Sequence, residues 1–115
     1  VETTDLAVLF AGASASDPPL LVDDIATWLT AVLDETNGWT GLIDEDIYSS
    51  DTMVSAVQAC TCRLVMVSAE VGLGVVPATR SGRLFRDELG ALNARLAESC
   101  EEVQLLVAGI PLRLK

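Results

Sequence analysis

A chain of 115 residues holds one domain at most, and half of its residues are apolar while only 4% are aromatic, so its core must be aliphatic. The formal net charge of −10 excludes a basic nucleic-acid footprint and an electrostatic hold on an anionic membrane. No apolar run reaches the roughly eighteen residues of a spanning helix, and the start VETTDLAVLF carries no base, so a soluble, cytoplasmic protein is expected.

In chain order, Thr3 or Thr4 can cap a first helix running through Phe10, with Leu6, Leu9 and Phe10 on its apolar side. AGASASDPP then reads as a loop. Leu20-Leu21-Val22-Asp23 follows as a short buried parallel strand ending in an acid. Asp24 can cap the next helix, whose Ile25, Trp28, Leu29, Val32 and Leu33 recur at helical spacing until the turn signal Asn37-Gly38. Ile43 to Cys60 is expected to be helical at least from Asp51, where Met53, Val54, Val57 and Cys60 share a face.

Arg63 to Ser68 reads as a second buried strand. A Gly/Pro loop leads from there into a long amphipathic helix, Ser81 to Ser99, striped by Phe85, Leu89, Leu92 and Leu96. Val103 to Ala108 is a third strand, and Gly109 with Pro111 turns the chain into a last strand, LRLK. The alternation of strands and helices implies an α/β fold with a mostly parallel sheet and flanking helices.

Charge is unevenly spread. Residues 1–62 hold eleven acids and no base, whereas residues 63–115 hold all seven bases against six acids. An anionic ligand is therefore better tolerated by the second half.

Ligands of parallel sheets bind outside the carboxyl ends of the strands, which is where Asp23 and Glu70 fall. Either acid can serve Mg²⁺-nucleotide chemistry, or Asp23 can cap a helix and Glu70 can be merely solvated. Gly72-Leu73-Gly74 lacks the third glycine of a dinucleotide fingerprint and reads as a loop that needs permissive dihedrals. Arg80, Arg83 and Arg86 open a helix whose dipole disfavours cations, which points to an anionic partner or to an Arg83–Asp87 pair. Arg86 and Asn93, seven apart, share a face away from the leucine stripe and are the better ligand-facing pair. Asp44-Glu45-Asp46 reads as a helix N-terminal charge run. Cys60, Cys62 and Cys100 read as buried reduced thiols.

The run VSAEVGLGVVPATRSGRLFRDELGALNARLAESCEEVQLLVAGIPLRLK, with LLVDDIATWL and VETTDL before it, resembles the bifunctional adenosylcobinamide kinase / adenosylcobinamide-phosphate guanylyltransferase family. The resemblance touches nearly the whole chain and is weakest between Asn37 and Cys60. It implies a P-loop NTPase fold of RecA-like type, truncated here at the N-terminus, with residues 1–115 forming a single partial domain. It further implies GTP or ATP with Mg²⁺ as cofactor and adenosylcobinamide as substrate. Partners would be copies of the chain in a homo-oligomer, with sites between subunits, or an N-terminal segment bearing the P-loop.

Carried over by position, Asp23 would be the catalytic acid near Mg²⁺, holding it indirectly, and Glu70 a second catalytic group. Arg86 and Asn93 would lie near the nucleotide or corrinoid pocket, and Arg83 is expected to join them in binding nucleotide phosphate. Ala69 and Ala94 stand where the family commonly has Asn and Gln. The Gly-Lys-Ser loop that holds phosphates in the family has no match, because the one lysine is Lys115, and there is no histidine to carry GMP. The resemblance thus implies one part of a cobalamin-biosynthesis enzyme, inactive in isolation. The alternative is a non-catalytic α/β module associated with, or fused to, another cobalamin-pathway enzyme.

Overall fold

The computed structural model describes residues 5–41 and 48–115. Helix α1 spans Leu6–Gly12, strand β1 Leu20–Asp23, α2 Ile25–Thr36, α3 Ser50–Ala59, β2 Leu64–Val67, α4 Arg80–Ser99, β3 Gln104–Val107 and β4 Ile110–Arg113; a 3-10 turn covers Gly38–Thr40.

Each described helix begins on a side chain that satisfies an orphan backbone donor. Asp5 accepts from the Val8 N–H, Asp24 from Thr27, Ser49 from Thr52 and Thr79 from Gly82. The cap of α1 is therefore Asp5; Thr3 and Thr4 lie outside the described residues, as does the Asp44–Asp46 run. Helix α2 ends where Asn37 turns left-handed (φ 54°) and donates its N–H to the carbonyls of Leu33 and Asp34.

The core lies among the helices. Ile25, Leu29 and Leu33 of α2 are fully covered by Phe10 of α1, Met53 of α3, and Leu89 and Leu92 of α4. Burying each such side chain contributes about 1.5–3 kcal/mol. Trp28 meets Tyr48 edge to face, with centroids 5.6 Å apart.

Strands β1 and β2 pair in parallel, Leu20 opposite Leu64 and Asp23 opposite Val67. Leu20, Val22, Leu64 and Met66 pack onto the helical core. The sequence pattern led us to expect strands buried on both faces, but the other face is open. Leu21 is 67% exposed, Val65 47% and Val67 43%, because nothing among the described residues covers that side.

Strand β3 does not join this sheet. It pairs antiparallel with β4 in a separate hairpin, Leu105 opposite Leu112 and Val107 opposite Ile110. Ala108 (φ 51°) and Gly109 (φ 73°) form its turn, both left-handed, as a two-residue hairpin that follows the strand twist requires. The turn thus precedes Pro111, which sits inside β4 opposite Leu106. Since the Leu114 N–H donates to Val103 O, alternation along the ladder turns the Pro111 backbone outward, and its missing donor is harmless there. The hairpin is tied back to α4 by Lys115, whose Nζ donates to the carbonyls of Ala97 (3.1 Å) and Glu98 (2.9 Å). The described elements are thus an α/β arrangement with a small parallel sheet, rather than one continuous mostly parallel sheet.

Candidate functional site

A cleft of about 790 Å³ opens between the exit of β2, one flank of α4 and the hairpin. Its mouth is polar: Ser68, Glu70, Gly72, Arg86, Asp87 and Asn93 line it. Its depth is apolar, with Ile25, Met66, Leu96, Ala97, Val103 and Leu105.

The local sequence explains the polar mouth. Strand β2 runs out at Val67, so Ser68 and the residues after it must find partners other than a ladder. Asn93, one position from the buried Leu92 of α4, supplies them. The Ser68 hydroxyl donates to Asn93 Oδ1 at 2.6 Å, and Asn93 Nδ2 donates to Ala69 O at 2.9 Å. The next carboxylate, Glu70, folds onto its own loop and accepts the Gly72 N–H at 2.6 Å. A Cβ at Gly72 would meet that Glu70 oxygen at 2.9 Å, so a larger residue there would displace the flexible Glu70 carboxylate from this hydrogen bond. Neither Gly72 nor Gly74 has a left-handed φ, contrary to the expectation of special dihedrals there.

Of the five residues singled out from the sequence, three come together. Glu70, Arg86 and Asn93 all line the cleft, as do Ala69 and Ala94. Arg86 Nη2 lies 3.4 Å from Asp87 Oδ1, a partly exposed neighbour pair.

Arg83 is elsewhere. Its Nη1 donates to the carbonyls of Pro77 (3.1 Å) and Ala78 (3.2 Å), locking the loop that precedes α4. The Arg83–Asp87 pair foreseen from spacing is replaced by Arg86–Asp87, since those loop carbonyls take the Arg83 donors.

Asp23 is also apart, at the end of β1 and so one strand further from the cleft, which opens on the other side of β2. Its carboxylate is exposed and forms no hydrogen bond or ion pair among the described residues. The capping role belongs to Asp24, whose Oδ1 accepts the Thr27 N–H at 2.7 Å. The Asp23–Asp24 peptide is cis.

Ser68 and the hairpin residues were missed in the sequence reading. A hydroxyl directly at a strand exit was the available signal for Ser68; the hairpin's place in the cleft had none. Burial pushes the Cys100 thiol, at the apolar end of the cleft, above its ordinary range, opposed by the Lys115 ammonium. All three cysteines are free; Cys62 is buried, while Cys60 and Cys100 are half-buried.

Among the described residues no three of His, Cys, Asp or Glu group closely enough to hold a metal ion by themselves. Nucleotide-bound Mg²⁺ does not need such a cage: it keeps several waters and takes one or two carboxylates besides the phosphates. Asp23, whose carboxylate has no partner among the described residues, is one such group, set one strand away from the cleft. No described helix is long and apolar enough to cross a membrane.

These features define an α/β protein with a polar-mouthed cleft beyond the carboxyl end of a parallel strand. The chain belongs to the cobinamide kinase / cobinamide phosphate guanyltransferase family, whose match covers residues 1–114. It is similar to a bifunctional adenosylcobalamin biosynthesis protein of Salmonella typhimurium, 36% identical over 112 residues covering 88% of this chain and 60% of that relative. A counterpart of the same name in Escherichia coli is 33% identical over 104 residues, covering 84% of this chain and 58% of the relative. One from Pseudomonas aeruginosa is 37% identical over 98 residues, covering 84% and 53%. The chain thus spans between half and three-fifths of the length of these curated relatives.

Proposed function

We propose that these residues are one part of a cobalamin-biosynthesis enzyme that phosphorylates adenosylcobinamide and transfers GMP from GTP to the product. The observation that carries this reading is the convergence of Glu70, Arg86 and Asn93 on one cleft in a chain of this family. In the complete protein, a P-loop fold of RecA-like type in the cytoplasm, Arg86 would face nucleotide phosphate and the Asp23 carboxylate would hold Mg²⁺ of GTP or ATP through water. Glu70 would act as a second acid once its loop opens. Asn93 contributes by holding the loop that bears Glu70, since both ends of its amide are engaged with Ser68 and Ala69. Arg83 acts at a further remove, by fixing the loop before α4. Completion comes from a P-loop-bearing segment or from other copies in a homo-oligomer.

The isolated chain is inactive on this reading. Its one lysine, Lys115, is occupied at the end of α4, and it has no histidine to accept a guanylyl group. The bare apolar sheet face favours a second reading, a non-catalytic module acting through its interface with another cobalamin-pathway enzyme.

Transfer of labelled γ-phosphate to adenosylcobinamide and of labelled GMP to adenosylcobinamide phosphate, measured at the polypeptide's native length, decides between the two. Turnover that falls at least a hundredfold in Asp23→Ala and Arg86→Ala, with assembly intact, is the expected result. Unchanged turnover in both variants would exclude the catalytic reading.

A further inference from the structure

The loop between β2 and α4 is fixed at both ends and free between them. At the near end Asn93 holds Ser68 and Ala69. At the far end Arg83 Nη1 donates to the carbonyls of Pro77 and Ala78, and Thr79 caps α4. Gly82 lets that end lie close on the helix, because a Cβ there would come within 2.9 Å of Pro77 Cβ. Between these anchors runs Val71-Gly72-Leu73-Gly74-Val75-Val76. Among the described residues, the one hydrogen bond this segment makes is from the Gly72 N–H to Glu70.

Its side chains do not suit a permanently solvated loop. Leu73 is 80% exposed and Val75 95%, and Val76 is exposed as well. Single exposed apolar residues are ordinary, but these three fall within four positions and form one apolar tip. Val71 and Gly72 line the cleft mouth, whereas Leu73, Val75 and Val76 stand clear of it. The space around Gly74 is open. An apolar tip is thus attached at the rim of the cleft and held away from it.

We propose that residues 71–76 are a lid. When a phosphate-bearing substrate occupies the cleft mouth, the segment turns at Gly72 and Gly74 and lays Leu73 and Val75 over it. The lid rests on the reading of that mouth as a phosphoryl- and guanylyl-transfer site. Transfer to a second substrate competes with transfer to water, and an apolar cover shuts the water out. Glycine at both turning points supplies the dihedral freedom that the movement needs. Closure also rotates the Gly72 N–H off the Glu70 carboxylate, which releases that acid into the mouth as the substrate is enclosed.

Hydrogen exchange reads the lid directly, on the polypeptide isolated at the length its source cell makes, with and without Mg²⁺ and the β,γ-imido analogue of GTP. The amides of Gly72 to Val76 are expected to exchange fast in the free protein and about tenfold more slowly with the analogue bound. The double variant Leu73→Ser/Val75→Ser, altered at exposed positions, gives a second reading. With labelled GTP and adenosylcobinamide, its share of γ-phosphate lost to water should rise about fivefold, with KM for GTP nearly unchanged. Unaltered exchange with the analogue would overturn the lid, as would an unaltered share lost to water. Slow exchange of these amides before ligand is added would also overturn it, since the tip is then buried against the rest of the protein or another copy. Protection by the analogue in a protein that transfers neither group leaves the lid standing and sinks the catalytic reading instead.

Discussion

Asn93 and Ser68, on different elements and twenty-five positions apart, are joined by a 2.6 Å hydrogen bond, while the same asparagine donates to the carbonyl of Ala69. One amide thereby fixes where the chain goes after β2. Asn93→Ala should lower stability by about 1–2 kcal/mol, the worth of two partly exposed hydrogen bonds. The sharper consequence is local: amide exchange across Ala69 to Gly74 should rise several-fold. Asn93→Asp keeps an acceptor for Ser68 but loses the donor to Ala69, so it should fall between the two. Exchange in that loop identical to wild type in Asn93→Ala would remove the clamp from the account.

Adjacent acids divide two duties. Asp24→Ala deletes the cap of α2 and should cost about 1 kcal/mol in urea unfolding. Asp23→Ala removes an exposed carboxylate with no partner among the described residues and should stay within about 0.5 kcal/mol of wild type. Equal losses from both would mean that Asp23 carries structural weight that its surroundings do not show.

Leu92 is 1% exposed and packs in the shared core of α2 and α4. Leu92→Ala should cost about 2–5 kcal/mol, a large share of the 5–15 kcal/mol typical of a whole domain. A urea midpoint displaced by less than the Asp24→Ala shift would contradict the packing described.

Tyr48 is the single tyrosine, and its buried hydroxyl has no hydrogen-bond partner among the described residues. Burial, with the Glu88 carboxylate adding and the Arg95 guanidinium opposing, pushes its pKa up to about 12. Between about pH 10 and pH 12 the unfolded chain releases a proton that the folded chain keeps, so stability falls with rising pH in that window. Below pH 10 this group adds no pH dependence. Phenolate absorbance reads Tyr48 alone, and Tyr48→Phe should abolish the alkaline loss while leaving neutral-pH stability unchanged or slightly higher. An ordinary phenol titration near pH 10 in the folded chain would refute the burial argument.

What was legible from sequence follows the range of the interaction. The stripes Ile25–Leu33 and Leu89–Leu96 are periodic over a few turns, and both proved to be core-facing. Asp24 capping α2 is a three-residue relationship, equally readable. The grouping of Glu70, Arg86 and Asn93 was also within reach, since it needs only a strand exit and one helix face. The rest depended on competition between distant partners. Arg83 had Asp87 at a favourable spacing, yet the carbonyls of Pro77 and Ala78 hold it. The strand-rich tail looked like a continuation of the parallel sheet. Its short left-handed turn at Ala108-Gly109 instead makes β3 and β4 satisfy each other.

The ammonium of Lys115 closes a ring that leaves α4 at Cys100, rounds the hairpin and returns to the last carbonyls of the same helix. A ring shut by one flexible side chain behaves as a latch. The hairpin's other tether to α4 is the short link from Cys100 to Val103, which acts as the hinge. Neutralising the amine removes both of these hydrogen bonds and leaves the Cys100–Val103 link as the chain connection between the hairpin and α4.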